Sequence, residues 1–415
     1  MTKFAVTASL VVALMSTTAV RAADVEVIHW WTSGGEQAAV TVFAEEFEAK
    51  TEHTWVDSAI ALGETARATV MQRALGGDPP EAAQFNPGRQ YEELIAAGLL
   101  LDLTPLAEAE NWDEIIRPDA TKATCHIDGK WWCVPTNIHS EQWAWASNAA
   151  FEAAGITEIP RDIQGLVAAL PALKEAGVIP LAVGGDGGGW QINLLANALF
   201  LNILGRENFE KVMRDLDQEV AAGPEVRQVF ETLKTLSQYA DEGAPNRNWN
   251  DTTALVLNDQ AGFQIMGDWA HGEFALAGKV AGEDYTCILG PAQTPYITLG
   301  GDIFVFFKQN DPAVEAAQLE LASLMVSPEV QVKFNLAKGS LPIRSDVDLS
   351  AADACMQTGL PLLDDPNRIV PAFGIWRTEA FGQQMNALNT DIFFNPNLTV
   401  EDAQARFVEL ISSAE

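Results

Sequence analysis

The sequence predicts an α/β protein folded as two lobes with a ligand cleft between them, the lobes joined by hinge crossovers. Three observations carry this. The chain has 415 residues, and a single hydrophobic core stops growing at roughly 250–300. Strand-like and helix-like segments alternate along most of it, the pattern of α/β folds with largely parallel sheets. At three points, Pro135-Thr136-Asn137, Gly290-Pro291 and Gly339-Ser340-Leu341-Pro342, turn residues allow the chain to cross from one lobe to the other.

In chain order, residues 1–22 read as a secretory leader. Lys3 precedes an apolar run from Phe4 to Met15, and Val20-Arg21-Ala22 is a small-residue exit, so the mature chain is expected to begin at Ala23. The apolar run is shorter than the roughly 20 residues that a spanning helix needs, and no cysteine follows the exit to carry a lipid. Next, Val25 to Trp31 is β-rich and alternating. It ends in Thr32-Ser33-Gly34-Gly35-Glu36, after which Ala38 to Ala49 places Val42, Phe43 and Phe47 on one helical face. Strand, glycine turn and helix make a βα unit. Further helices are expected over Glu64–Leu75, Tyr91–Ala97, Ile163–Ala176, Trp190–Leu204, Pro224–Tyr239, Pro312–Met325 and Glu401–Ser412. Strands are expected over Val178–Val183, Ala261–Met266 and Ile303–Phe307. The crossovers divide the chain into one lobe of residues 23–136 and 291–339 and a second of 137–290 and 340–415. No internal repeat or low-complexity tract interrupts this.

The formal charge is −32, and more negative once Lys3 and Arg21 leave. Such a surface repels nucleic acid and anionic lipid. Four cysteines in an exported chain read first as bridges. Asp128-Gly129 is a hairpin-turn signal midway between Cys125 and Cys133, which favours a bridge across that hairpin and leaves Cys287 with Cys355, although three pairings are formally possible. No His or Cys spacing matches a zinc site.

The sequence carries no nucleophile elbow, phosphate loop, dinucleotide glycine pattern or zincin helix. Gly184-Gly185-Asp186-Gly187-Gly188-Gly189 lacks the lysine and spacing of a phosphate cradle and reads as a loop delivering Trp190. A glycosidase pair among the many acids stays open. Tryptophan stands out, with 12 in the chain, adjacent pairs at Trp30-Trp31 and Trp131-Trp132, and Trp143 with Trp145. An indole face matches the C–H face of a pyranose, while carboxylates, amides and ammonium groups satisfy its hydroxyls. Adjacent strand residues point to opposite faces, so at most one of each adjacent pair can meet a ligand unless the chain turns. The ordinary alternative for any tryptophan is the core. Trp30 and Trp31 have the better case, because they end a strand at a glycine turn, where α/β sites gather.

His29-Trp30-Trp31-Thr32-Ser33-Gly34-Gly35-Glu36, Met266-Gly267-Asp268-Trp269 and Phe334 through Arg344 resemble the family 1 extracellular solute-binding proteins, in particular the glucose-binding proteins of proteobacterial ABC importers. Ala82-Ala83-Gln84, Pro135 to His139, Trp143-Ala144-Trp145, Trp190-Gln191 and Gly301-Asp302 extend the resemblance, in order, through nearly the whole mature chain. It implies a type II-like periplasmic binding-protein fold. It also implies a monomer in the periplasm that carries a glucose-like monosaccharide to ABC permease subunits in the inner membrane, with no cofactor, no metal and no catalysis.

By the same resemblance Trp30, Trp31 and Glu36 line the sugar site from one lobe, Gln84, Asp302 and Lys338 add polar contacts, and Trp269 stacks from the other lobe. Without it, Lys338 reads equally as a solvated helix-end charge and Asp302 as a turn residue. Trp190 joins the candidates, and Asn137 and His139 sit beside a crossover where a hinge role is the alternative. Cys287 and Cys355 match the family's bridge, whereas the Cys125–Cys133 hairpin is extra.

Two departures narrow what the resemblance implies. The family's Lys-Gly-Pro turn, whose lysine reaches the sugar, is here Phe85-Asn86-Pro87-Gly88-Arg89, so Asn86 takes that place with Arg89 one turn on. The family's Ala-His-Gly is Ala372-Phe373-Gly374, followed by Trp376. Polar contacts are lost and aromatic ones gained, which leaves a disaccharide, a glycoside or a uronate as alternatives to glucose.

Overall fold

A computed structural model describes residues 22–292 and 294–414; the expected leader lies outside them up to Arg21. The opening βα unit forms as its pattern predicts. Strand Asp24–His29 is followed by helix Gly34–Lys50, whose cap is Ser33: its Oγ accepts from the Glu36 N–H at 3.3 Å. The helix buries Phe43 and Phe47.

The first sheet has five strands in the order Thr54–Ala59, Asp24–His29, Ala82–Phe85, Ile303–Phe306 and Cys133–Pro135. The second has four, in the order Tyr285–Leu289, Trp143–Ser147, Ala261–Met266 and Ile179–Ala182. Neither is largely parallel. Asp24–His29 is parallel to both neighbours, but Ile303–Phe306 runs antiparallel to Ala82–Phe85 and to Cys133–Pro135. Trp143–Ser147 is likewise antiparallel to both of its neighbours. The reason lies in the connections. Strands that enter a sheet from a crossover, rather than from a βα turn, are free of the handed return that makes neighbours parallel.

Between the two sheets a short sheet runs Ile369–Pro371, Ile297–Gly300, His139–Ser140. Cys133–Pro135 of the first sheet thus continues through Thr136–Ile138 into His139–Ser140, and Ile297–Gly300 continues through Gly301-Asp302 into Ile303–Phe306. These two crossings run side by side: Asp302 N–H donates to Asn137 Oδ1 at 2.7 Å and Thr136 N–H to the Asp302 carbonyl at 2.9 Å.

One apolar core underlies the first sheet and extends to Trp143, Trp145 and Phe274; a second lies between the second sheet and helices Ile163–Glu175, Trp190–Met213, Pro224–Leu236, Glu379–Phe394 and Val400–Ser413. The helix expected over Trp190–Leu204 reaches its boundary where backbone freedom dictates. Gly205 adopts φ 70°, ψ 165° inside the longer Trp190–Met213 helix and breaks it there. The hairpin also forms: Asp128 and Gly129 take positive φ (53° and 75°) between paired His126–Ile127 and Lys130–Trp131, under a Cys125–Cys133 bridge. Cys287 is bonded to Cys355. Among the described residues no helix is long and apolar enough to cross a membrane.

Candidate functional site

A cavity of about 560 Å³ opens where the two sheets face one another, and the crossover segments close its inner end. Its aromatic lining comes from Trp30, Trp190, Trp249, Trp269 and Phe373. Trp30 follows the first strand and is half-buried, with Gly63 and the Arg67 guanidinium against its ring. The next residue takes the opposite course. Trp31 is 1% exposed, packed among Phe43, Phe304 and Phe334, and reaches the cavity only at its margin. Just past the end of the strand, Trp30 thus goes to the cleft and Trp31 to the core.

Trp269 is delivered by Gly267. A Cβ there would lie 2.1 Å from the indole, which folds back over the backbone, so only glycine fits. Its ring stands edge-on to His139 at 5.1 Å and tilted to Trp190 at 6.1 Å.

The polar floor is a buried chain of charges. Asp302 Oδ1 accepts from Gln84 Nε2 at 2.7 Å, and Oδ2 accepts from Asn137 Nδ2 at 2.9 Å and from His139 Nε2 at 2.8 Å. The other ring nitrogen of His139 bonds Asp268, whose second oxygen accepts from the Ser140 N–H at 2.9 Å. Burial alone pulls the His139 pKa down, but the two flanking carboxylates outweigh it and raise it to about 9; the ring is an imidazolium donating from both nitrogens. Burial in turn raises Asp302, and His139 overcomes this, holding it at about 2. The aspartate is therefore ionised and oriented, with room on Oδ1 for a further donor.

Lys338 and Glu36 form the second polar pair, 3.2 Å apart. Lys338 ends helix Pro328–Lys338, where Gly339 turns the chain at φ 82°, and Glu36 lies in the first turn of Gly34–Lys50. The lysine is only 2% exposed, with its ammonium 5.5 Å from the Trp31 ring centre, so it is no solvated helix-end charge.

The candidate residues therefore divide. Trp30, Glu36, Asn86, Trp190, Trp269, Asp302, Lys338 and Phe373 line one cavity, with Trp31 at its edge. Gln84 and Asn137 lie behind Asp302 and act on it rather than on the cavity. Arg89 turns away to pair with Glu92 at 3.1 Å, and Trp376 lies against the Arg214 guanidinium; neither belongs to the lining. The loop carrying Asn86 still reaches across. Gly88, at φ 119°, packs so closely on Gly374 that a Cβ would come within 2.5 Å of its carbonyl oxygen.

Contacts across the rim join the two sides. Arg67 Nη2 donates to Glu379 Oε1 at 2.9 Å, Gln90 Nε2 to Glu379 Oε2 at 2.7 Å, and the Gly35 N–H to Glu273 Oε1 at 2.9 Å. Sequence reasoning missed Arg67, Glu379, Trp249 and Glu141, all of which line the cavity. For two of them a signal existed: Trp249 sits between amides in Asn248-Trp249-Asn250, and Glu141 lies two residues after His139, beside a crossover. Arg67 and Glu379 lie on ordinary amphipathic helices and carry none.

Comparison with known proteins bears on the family and the fold. The family model described as bacterial extracellular solute-binding protein matches residues 43–358. A probable sugar-binding periplasmic protein of Rhizobium meliloti (strain 1021) is 35% identical over 425 residues, covering 100% of both chains. One of the same description from Brucella suis biovar 1 is 35% identical over 401 residues, 94% of this chain and 93% of its own. Among solved structures, a chitin oligosaccharide binding protein superposes with TM-score 0.79 at 19% identity over 95% of this chain and 99% of its own. A bacterial receptor for β-D-galactopyranose gives 0.77 at 17% identity, covering 93% of this chain and 98% of its own. Both share the two-lobed fold.

Proposed function

The chain belongs to the bacterial extracellular solute-binding proteins, and from that premise we propose that it is the periplasmic sugar receptor of an ABC importer, with a glucose-like monosaccharide as the leading ligand. The observation that carries this is the single cavity that combines the exposed faces of Trp30, Trp190, Trp249 and Trp269 with the buried Asp302 and the Lys338–Glu36 pair. Indole faces take the apolar side of a sugar ring, and the ionised groups take its hydroxyls through charge-assisted bonds. The full-length relatives described as sugar-binding and periplasmic support the same reading.

The action is capture rather than catalysis. The lobes, taken as residues 23–136 with 291–339 and 137–290 with 340–415, close about the paired crossovers when a ligand bridges them, and the closed form docks on the permease. Supporting this division, every strand of the five-stranded sheet falls in the first set and every strand of the four-stranded sheet in the second. A larger neutral ligand, a disaccharide or glycoside, is the second reading. Phe373 and Asn86 favour it, since they line the cavity where the resemblance expects a histidine and a lysine.

A thermal-shift screen with neutral monosaccharides, disaccharides and polyols tests the proposal. A ligand at about a hundred times its Kd stabilises by about 2.7 kcal/mol, a clear rise in Tm. No shift with any carbohydrate would refute a sugar receptor.

A further inference from the structure

We propose that Glu141, which neither the resemblance nor the relatives assign, is a direct ligand contact that makes the cleft admit neutral sugars and reject carboxylate-bearing ones. This rests on the reading of the cleft as a sugar site. Glu141 immediately follows the short strand His139–Ser140, two residues from His139, and both residues line the cavity. Its backbone is pinned, with the Glu141 N–H donating to the Thr298 carbonyl at 3.1 Å. Its carboxyl lies over Gly300, where a Cβ would stand 2.8 Å from Oε1, so the neighbouring strand is cleared for it by a glycine. The side chain is partly buried, lines the cavity, and has neither a hydrogen-bond donor nor a basic partner among the described residues. Every other charge near it is engaged: His139 by Asp268 and Asp302, and Lys338 by Glu36. A carboxyl held against a cleft wall with its oxygens unused is expected to find its partner in the ligand.

The charge census sets the selectivity. At the inner end of the cleft His139 is held between Asp268 and Asp302 and Lys338 is paired with Glu36, which leaves the Glu141 carboxyl as surplus there; Arg67 and Arg377 also line the cavity, with Arg67 paired to Glu379 at the rim. At that inner end an incoming carboxylate meets surplus negative charge beside His139 and Lys338, which are already paired, whereas a sugar hydroxyl can donate to Glu141. Burial raises the Glu141 pKa to about 7, with His139 opposing and Asp268 adding to the shift. A donating hydroxyl favours the carboxylate, so binding lowers this pKa, and affinity is full above about 7 and falls as pH drops through it. His139, near 9, and Asp302, near 2, stay charged on both sides of that range.

Calorimetry with glucose, maltose and glucuronate at about pH 6 and about pH 8, on the wild type and the isosteric Glu141→Gln, tests this. In the wild type, the neutral sugar that binds should bind up to roughly tenfold tighter at the higher pH, and glucuronate should bind at least roughly tenfold more weakly than it. In Glu141→Gln, with an unchanged melting temperature, the pH dependence should vanish, the neutral sugar should weaken by roughly tenfold at the higher pH, and the gap to glucuronate should narrow. A variant with wild-type affinity and pH profile, or a wild type that binds glucuronate as tightly as the neutral sugar, would overturn the inference and leave the sugar reading standing. No binding of any of the three by either form would overturn the glucose-like reading of the cleft on which the inference rests.

Discussion

Trp31→Ala is expected to cost about 3–5 kcal/mol of folding stability, the range for truncating a fully buried large aromatic, while Trp30→Ala leaves stability near wild type and weakens sugar binding. The two indoles are adjacent in sequence, just past the end of the first strand, and one turns to the cleft and the other to the core. Trp31 closes the core between the first helix and the first sheet, against Phe43, Phe304 and Phe334. Its loss opens a cavity that three aromatic neighbours and a buried lysine cannot collapse around, and it removes the ring that the Lys338 ammonium rests against. Trp30 is half-buried and faces the cleft, so its removal deletes a stacking face at little cost to the core. Denaturant unfolding and calorimetry on both variants separate these outcomes. A Trp31→Ala protein as stable as the wild type would contradict the core assignment.

Asp302→Ala is expected to have an equally large effect of a different kind. The substitution leaves a buried imidazolium at His139 with Asp268 as its only remaining carboxylate, and strips Gln84 and Asn137 of their acceptor. Breaking one partner of a buried ion pair costs about 3–5 kcal/mol, because an uncompensated charge remains in low dielectric. Sugar affinity should be lost with it, since the same carboxylate is the oriented acceptor at the cavity floor. Stability should also depend on pH through this network. His139 titrates in the folded state at about 9 against an ordinary 6.5, so its contribution is full below about 6.5 and is lost as pH rises through 9. Asp302 titrates at about 2 against an ordinary 3.8, so its contribution is present above about 3.8 and is lost as pH falls toward 2. The wild type should therefore show a stability plateau between those limits. In Asp302→Asn the alkaline limb should move to lower pH, as His139 loses one of the two carboxylates that raise its pKa. Parallel unfolding curves across pH for the two proteins would contradict the network.

What could be read in advance follows the range of the interactions. The opening βα unit, the Asp128-Gly129 hairpin under its disulfide, and the helix that breaks at Gly205 are set by residues within a few positions of each other, and all three form where the pattern puts them. The strand order was not legible. Ile303–Phe306 pairs with strands more than 150 residues away, entering from a crossover, and no local signal specifies that partner or its direction. The site shows the same division. Trp269, Asp302, Lys338 and Glu36 were recognised by their setting in matched motifs, and the structure gathers them. Arg89 and Trp376 were nominated only for lying near two departures from those motifs, and both point elsewhere. Trp249, Glu379 and Arg67 reach the cleft only through the folding of separate helices.

A sugar held in this cleft is tested most directly by a calorimetric titration of the neutral sugar that gives the largest thermal shift into the wild type and into Trp269→Ala. Trp269 lines the cavity from beside the second sheet, against His139 and Trp190, and is only partly buried. One site per chain is expected in the wild type and a loss of about 1–3 kcal/mol in the variant, the worth of a stacked ring, with folding intact. Equal affinity in the two proteins would contradict a sugar held between the tryptophans of this cleft.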